Sequence, residues 1–132
     1  MLYGRAYFEP TPPPDAIQAP VVHEISRLYL DLYRHGTRVS KRDRYGIHRT
    51  LEDTCLRALR IAIGAALEKR GAKNALVRSL SVEIEVLKHL VRAAHEAESI
   101  LLPAYIELQK RLQEISRGAS AWLKYLERSE PR

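Results

Sequence analysis

Residues able to do chemistry are present in this chain, but their spacing supports little of it. The five histidines, His23, His35, His48, His89 and His95, lie too far apart in sequence for a zinc motif of known spacing. A di-iron bundle needs glutamate followed three residues later by histidine on two helices, and no glutamate here has that neighbour. His48/Glu52 and Glu85/His89 stand four apart, the spacing of a surface ion pair on a helix. Cys55, the lone cysteine, precedes Leu56 in an amphipathic stretch and reads as a small core residue rather than a nucleophile. The six glycines never form G-x-G, so no phosphate-cradling loop is expected. Trp122 and Tyr105 could stack on bases, yet both fall in a helical seam that favours core packing. The expectation is a binding protein with no catalytic residue, cofactor or metal site.

Charge says more about what is bound. Between Arg34 and Arg78 lie 12 Lys/Arg against Asp43, Glu52, Asp53 and Glu68 alone, a surplus of eight. From Ser79 onward eight basic residues meet eight acidic ones, and residues 1–33 hold two basic and four acidic, which completes the net +6. A basic block on one part of a small domain is the electrostatic footprint of a nucleic-acid or acidic partner. Arg38, Lys41, Arg42, Arg44 and Arg49 are the expected RNA-attracting set, with Arg57 and Arg60 continuing it.

These side chains need a scaffold, and the apolar spacing describes one. Tyr105, Leu108, Leu112, Ile115, Ala119, Trp122 and Leu126 alternate steps of three and four, the seam of a helix packed lengthwise on others. Three earlier segments carry comparable stripes: Val21, Ile25, Leu28 and Leu32; Ile47, Leu51, Thr54, Ala58, Ala62 and Ala65; Leu76, Leu80, Ile84, Leu87, Val91 and Ala94. The spacing predicts helices over about 20–35, 45–70, 74–98 and from about 105. Pro20 suits a first turn, and Gly36 and Gly71 serve as stops. Short connections make sequential helices antiparallel, so the expected fold is all-α, an up-down-up-down four-helix bundle over 20–128. Residues 1–19, with prolines at 10, 12, 13 and 14, read as an extended proline-rich arm carrying Leu2, Tyr3, Tyr7 and Phe8, and 129–132 as a tail. At 132 residues the chain is one domain able to bury a core. The longest apolar run, Ile61 to Leu67, is far short of a membrane span, Met1–Arg5 lacks a secretory h-region, and a single cysteine fits a reducing compartment. A cytoplasmic protein is expected.

Three segments carry a family resemblance. Glu114-Ile115-Ser116-Arg117-Gly118-Ala119-Ser120-Ala121-Trp122-Leu123-Lys124 resembles the closing signature of the accessory variability determinant (Avd) family of diversity-generating retroelements, E-I-G-R, two small residues, then W-L-K or W-L-R. Ser116, Ser120 and Ala121 stand where that family has glycines. Lys41-Arg42-Asp43-Arg44-Tyr45 is similar to the family's K-x-E-R-F element, although Gly46-Ile47 follows where L-G is usual. Leu87-Lys88-His89-Leu90-Val91-Arg92-Ala93-Ala94 is similar to its basic L-R-x-x-L-R segment.

The resemblance implies a basic bundle that assembles as a homopentamer and binds a retroelement reverse transcriptase and its template RNA during mutagenic copying. It places the reverse-transcriptase contact at Lys88 and Arg92, and core or assembly roles at Tyr105, Leu112, Ile115 and Trp122. Five copies at +6 would carry +30, a field able to recruit a polyanion. The alternative is a stand-alone bundle related to ribosomal-RNA intervening-sequence proteins. Their N-I-A-E-G stretch is absent, Ile61-Ala62-Ile63-Gly64-Ala65 standing there instead. A small-molecule-binding bundle or enzyme is supported by no residue cluster.

Overall fold

A computed structural model describes residues 14–129, and these form α-helices α1 (Pro14–His35), α2 (Lys41–Tyr45), α3 (Ile47–Leu67), α4 (Arg70–Glu96) and α5 (Leu102–Ser129). A 3-10 turn, Gly36–Arg38, joins α1 to α2. No strand occurs among the described residues. α3 packs on α1 and α4, and α5 packs on α4 and α1, so the four long helices close a ring around one core. No helix among the described residues is long and apolar enough to cross a membrane.

Every long helix turns its apolar stripe inward. Val21, Ile25, Leu28 and Leu32 of α1 meet Leu51, Cys55, Ala58, Ala62 and Ala65 of α3. Leu80, Ile84, Leu87, Val91 and Ala94 of α4 meet Leu112, Ile115, Ala119, Trp122 and Leu126 of α5. Tyr105, Ile47 and Leu76 lie at the edge of this core, half-buried against it. Ala58, Ala62 and Ala65 of α3 are fully buried, so that helix lies close to its neighbours while α5 supplies the bulk.

Four boundaries differ from the sequence expectation. α1 begins at Pro14, six residues before Pro20, because a proline at the first helical position loses no helical hydrogen bond. Pro20 then lies inside α1 on its exposed side, where a carbonyl left without its donor is within reach of water. The arm expected over 1–19 is therefore helical from 14, and the rest of it, with Leu2, Tyr3, Tyr7 and Phe8, lies outside the described residues. The expected second helix is divided: Gly46, at φ −110° and ψ −111°, separates α2 from α3. Ser40 caps α2 by accepting a hydrogen bond from the Asp43 amide at 3.2 Å. Gly71 stops nothing; it is the second residue of α4, and the chain breaks at Glu68 and Lys69, both extended. Ser129, the first residue of the expected tail, belongs to α5, and 130–132 lie outside the described residues.

The α4–α5 turn supplies the sharpest chain reversal. The Glu98 amide donates to the His95 carbonyl and the Ser99 amide to the Ala94 carbonyl, the paired pattern that closes a helix C-terminus. That closure needs a left-handed residue, and Glu98 takes it at φ 64°, a place usually given to glycine. Gly36, by contrast, has no positive φ; a methyl group there would stand 3.1 Å from His48 Nε2, so close packing rather than backbone freedom selects it.

Candidate nucleic-acid interface

The expected RNA-attracting residues gather where α1 ends, the 3-10 turn crosses over, and α2 leads into α3. Arg38, Lys41 and Arg42 are exposed, and none is held in an ion pair among the described residues. Their charges are therefore free to meet a partner. Arg44 is committed elsewhere: its Nε donates to the Gly36 carbonyl at 3.2 Å and its guanidinium also reaches the Val39 carbonyl at 3.4 Å. It pins the α1–α2 connection and so shapes the site instead of presenting its charge. Arg49 pairs with Asp53 at 3.7 Å on the same exposed face, and Arg57 pairs with Glu83 of α4 at 3.3 Å. Exposed pairs of this kind add little stability and yield readily to a phosphate. Arg60 is exposed on α3, away from the chain crossover.

Beneath this end of the bundle lies a histidine pair, His35 and His48. The expected surface pair of His48 and Glu52 is not one: His48 is buried, its Nε2 lying 2.6 Å from the Leu32 carbonyl and 3.3 Å from Glu52 Oε2. The signal was available, because His48 shares the three-four spacing of Leu51, Cys55, Ala58, Ala62 and Ala65 and so belongs to the inward stripe. Nε2 locks the last turn of α1 to the first of α3, beside the turn that carries Arg38. His35 lies next to it with ring centroids 6.0 Å apart. Glu85 and His89 do not pair either: the Glu85 carboxylate takes Lys88, and His89 Nδ1 lies 2.9 Å from the Glu85 carbonyl.

Burial holds the His35 pKa below its ordinary 6.5, helped by the neighbouring His48 and Arg38 and opposed by a backbone hydrogen bond to Ser99. Since the folded-state pKa lies below the unfolded one, the unfolded chain binds the extra proton first. The contribution is complete above pH ~6.5 and is lost as pH falls through the folded value. Urea denaturation is thus expected to show stability declining below pH ~6.5, with part of that decline removed in His35→Gln. An identical pH profile for the variant would show that His35 does not couple to folding.

Lys88 and Arg92 leave α4 on neighbouring positions but in different states. Lys88 is mostly covered, with Nζ 2.8 Å from Glu85 Oε2 and a backbone carbonyl accepting from Gln109 Nε2 of α5. Arg92 is exposed and in no ion pair among the described residues. Leu112, Ile115 and Trp122 face the interior of their own bundle, so they are spent on the core and an assembly surface must use other residues. Tyr105 stacks on His95 with centroids 4.5 Å apart and an interplanar angle of 17°, which closes the α4–α5 turn. In the α5 signature the close approach falls at Gly118, where a methyl group would stand 2.9 Å from Val21 Cγ2, while Ser120 and Ala121 are exposed.

The chemistry on offer is electrostatic. Cys55 is buried with its Sγ toward the Ile25 carbonyl at 3.7 Å, and burial pushes its pKa up to about 12, so no thiolate is available at neutral pH. Among the described residues, no group of three or more His, Cys, Asp or Glu could hold a metal ion. No known family model, curated protein or solved structure matches the chain.

Proposed function

We propose that this chain is a non-catalytic accessory protein of a diversity-generating retroelement, binding the element's reverse transcriptase and template RNA to support mutagenic copying. The observation that carries the reading is the exposed trio Arg38, Lys41 and Arg42, held on a stiff corner by Arg44 and His48 with no ion pair of its own among the described residues. Unpaired cations on a fixed corner suit phosphates, which are bound by charge and position rather than by base identity. The sequence resemblance supplies the identity of the partner enzyme, with Arg92 and Lys88 as its contact. The chemistry then belongs to the reverse transcriptase, and this chain works beside it in the cytoplasm.

An antiparallel up-down-up-down arrangement suits this role and is supported by contacts that run in opposite orders along neighbouring helices. Leu32 meets His48 while Ile25 meets Cys55, and Arg78 meets Glu127 while Lys88 meets Gln109. Assembly into a homopentamer is supported by apolar surface left open on α4, where Val82 and Val86 are exposed beside half-buried Leu90. Light scattering at micromolar concentration is expected to give a species larger than a dimer, five copies being the form the resemblance implies. A clean monomer would remove the ring.

RNA binding is tested by titration at two salt concentrations. For single-stranded RNA each neutralised phosphate contributes about 0.7 to the slope of log K against log salt. Replacing Arg38, Lys41 and Arg42 with glutamine is expected to flatten that slope by about 2. Wild-type binding that ignores salt would make the trio a solvated surface only.

A further inference from the structure

We propose that the outward face of α5 is a second track for a nucleic-acid backbone, formed by Lys110, Arg117 and Lys124. The proposal rests on the RNA-binding part of the function above and extends it to a helix whose segment, Ser79 onward, is charge-balanced in sequence. Seven residues are nearly two helical turns, so cations at 110, 117 and 124 fall almost in line. The row is straight, with a cation every ~10 Å over about 21 Å of helix. All three side chains are exposed, and none enters an ion pair among the described residues. Of the acids near them, Glu127 is taken by Arg78 at 3.1 Å. Glu107 and Glu114 are exposed at three- and four-residue spacing from Lys110 and Arg117, yet neither is held in an ion pair with the row among the described residues, and Glu107 lines the groove that also holds Arg38.

What lies between the cations selects the kind of partner. Gln113, Ser120 and Ala121 are exposed and small or neutral, and Glu114 is the single exposed acid between Lys110 and Lys124. No large exposed hydrophobic residue occurs in α5 after Ile106. A protein-docking surface is organised around buried apolar or aromatic anchors, with charge pushed to its rim. This face has no such anchor. A phosphodiester backbone needs none; it needs cations at intervals and polar groups between them. The row starts at Lys110, two turns into α5, near the end of the bundle that carries Arg38 and His35, since His35 borders the same groove as Leu101, Pro103 and Ala104. A strand bound at the Arg38–Arg42 corner therefore has a continuation along α5.

The experiment uses the full chain, a labelled 20-nucleotide oligouridine and three variants, each losing three charges. Lys110→Gln, Arg117→Gln and Lys124→Gln together remove the row. Arg38→Gln, Lys41→Gln and Arg42→Gln together remove the corner. Arg27→Gln, Lys69→Gln and Lys73→Gln together remove scattered charge, and circular dichroism checks that each variant keeps the wild-type helix content. The row variant is expected to flatten the salt slope by about 2, as three lost single-strand phosphate contacts require, while the scattered variant leaves it near wild type. A wild-type slope in the row variant, with the corner variant flattened, overturns the track and leaves the proposed function standing. Equal flattening in the scattered variant also overturns it, because net charge alone would then account for the effect. Unchanged RNA binding with loss of reverse-transcriptase capture would make the row a protein-docking face instead. A wild-type chain with no salt-dependent binding removes the RNA reading itself, track included.

Discussion

Trp122→Ala is expected to destabilise the protein by about 3–5 kcal/mol, the usual cost of emptying a large buried aromatic site. Trp122 is 1% exposed and is the largest fully buried side chain among the described residues. It sits in the last third of α5, where Leu126, Ala119 and the α1 residues beyond Gly118 close one end of the core. That end is tight already: α1 and α5 approach so closely at Gly118 that a methyl group would press on Val21. The helices are therefore poorly able to collapse into the space the indole leaves, which puts the cost high in the range. Ser120→Ala, two residues away and exposed, is the control and should move stability by less than about 0.5 kcal/mol. Chemical denaturation of both variants checks this, and equal midpoints would show that the interior does not depend on the indole.

Neutralising Lys88 and Arg92 together is expected to abolish or strongly reduce capture of the reverse transcriptase without changing helix content. The two do not contribute alike. Lys88 is bound to Glu85 and lies against α5, so a partner must compete with that pair, whereas Arg92 is exposed and needs no rearrangement. Arg92→Gln alone should therefore cost more of the capture than Lys88→Gln alone. The reverse order, measured in a pull-down, would put the contact on another part of α4.

The interior of the bundle is legible in the sequence because three-four spacing is a direct consequence of helix geometry. Leu28, Leu51, Leu87 and Leu112 need no more than that to be placed inside. Punctuation reads less well. Gly71 resembles a stop yet lies in a helix with open space around its Cα, and the true break falls at Glu68–Lys69, where neither side chain signals an extended backbone. Glu98 holds a left-handed position with no glycine to announce it. Ser40 three residues before Asp43 is a capping signal that marks α2 as its own element, and it is readable once the Gly46 break is suspected.

The candidate site divides along the same line. Exposure of Arg38, Lys41 and Arg42 follows from a turn-rich segment, but the fate of Arg44 does not. Its hydrogen bonds to Gly36 and Val39 depend on how the chain crosses from α1 to α2, a tertiary fact. His48 is intermediate: its register reads inward, while its polar ring reads outward. The carbonyl of Leu32, in the last turn of α1, decides the matter by lying 2.6 Å from its Nε2. The charges on α5 escape a tally taken from Ser79 to the end, where eight acids balance eight bases, although α5 itself carries five bases against three acids.

The central claim, that this bundle is an accessory to a nucleic-acid-copying enzyme, is tested most directly by co-purification. The tagged wild-type chain is expressed with the reverse transcriptase of the same retroelement and recovered before and after ribonuclease treatment. The account predicts that the enzyme co-elutes in both cases, since Arg92 and Lys88 contact protein, and that the template RNA is recovered only in the untreated sample. An enzyme that stays in the flow-through, while the chain is folded and binds RNA, would contradict it.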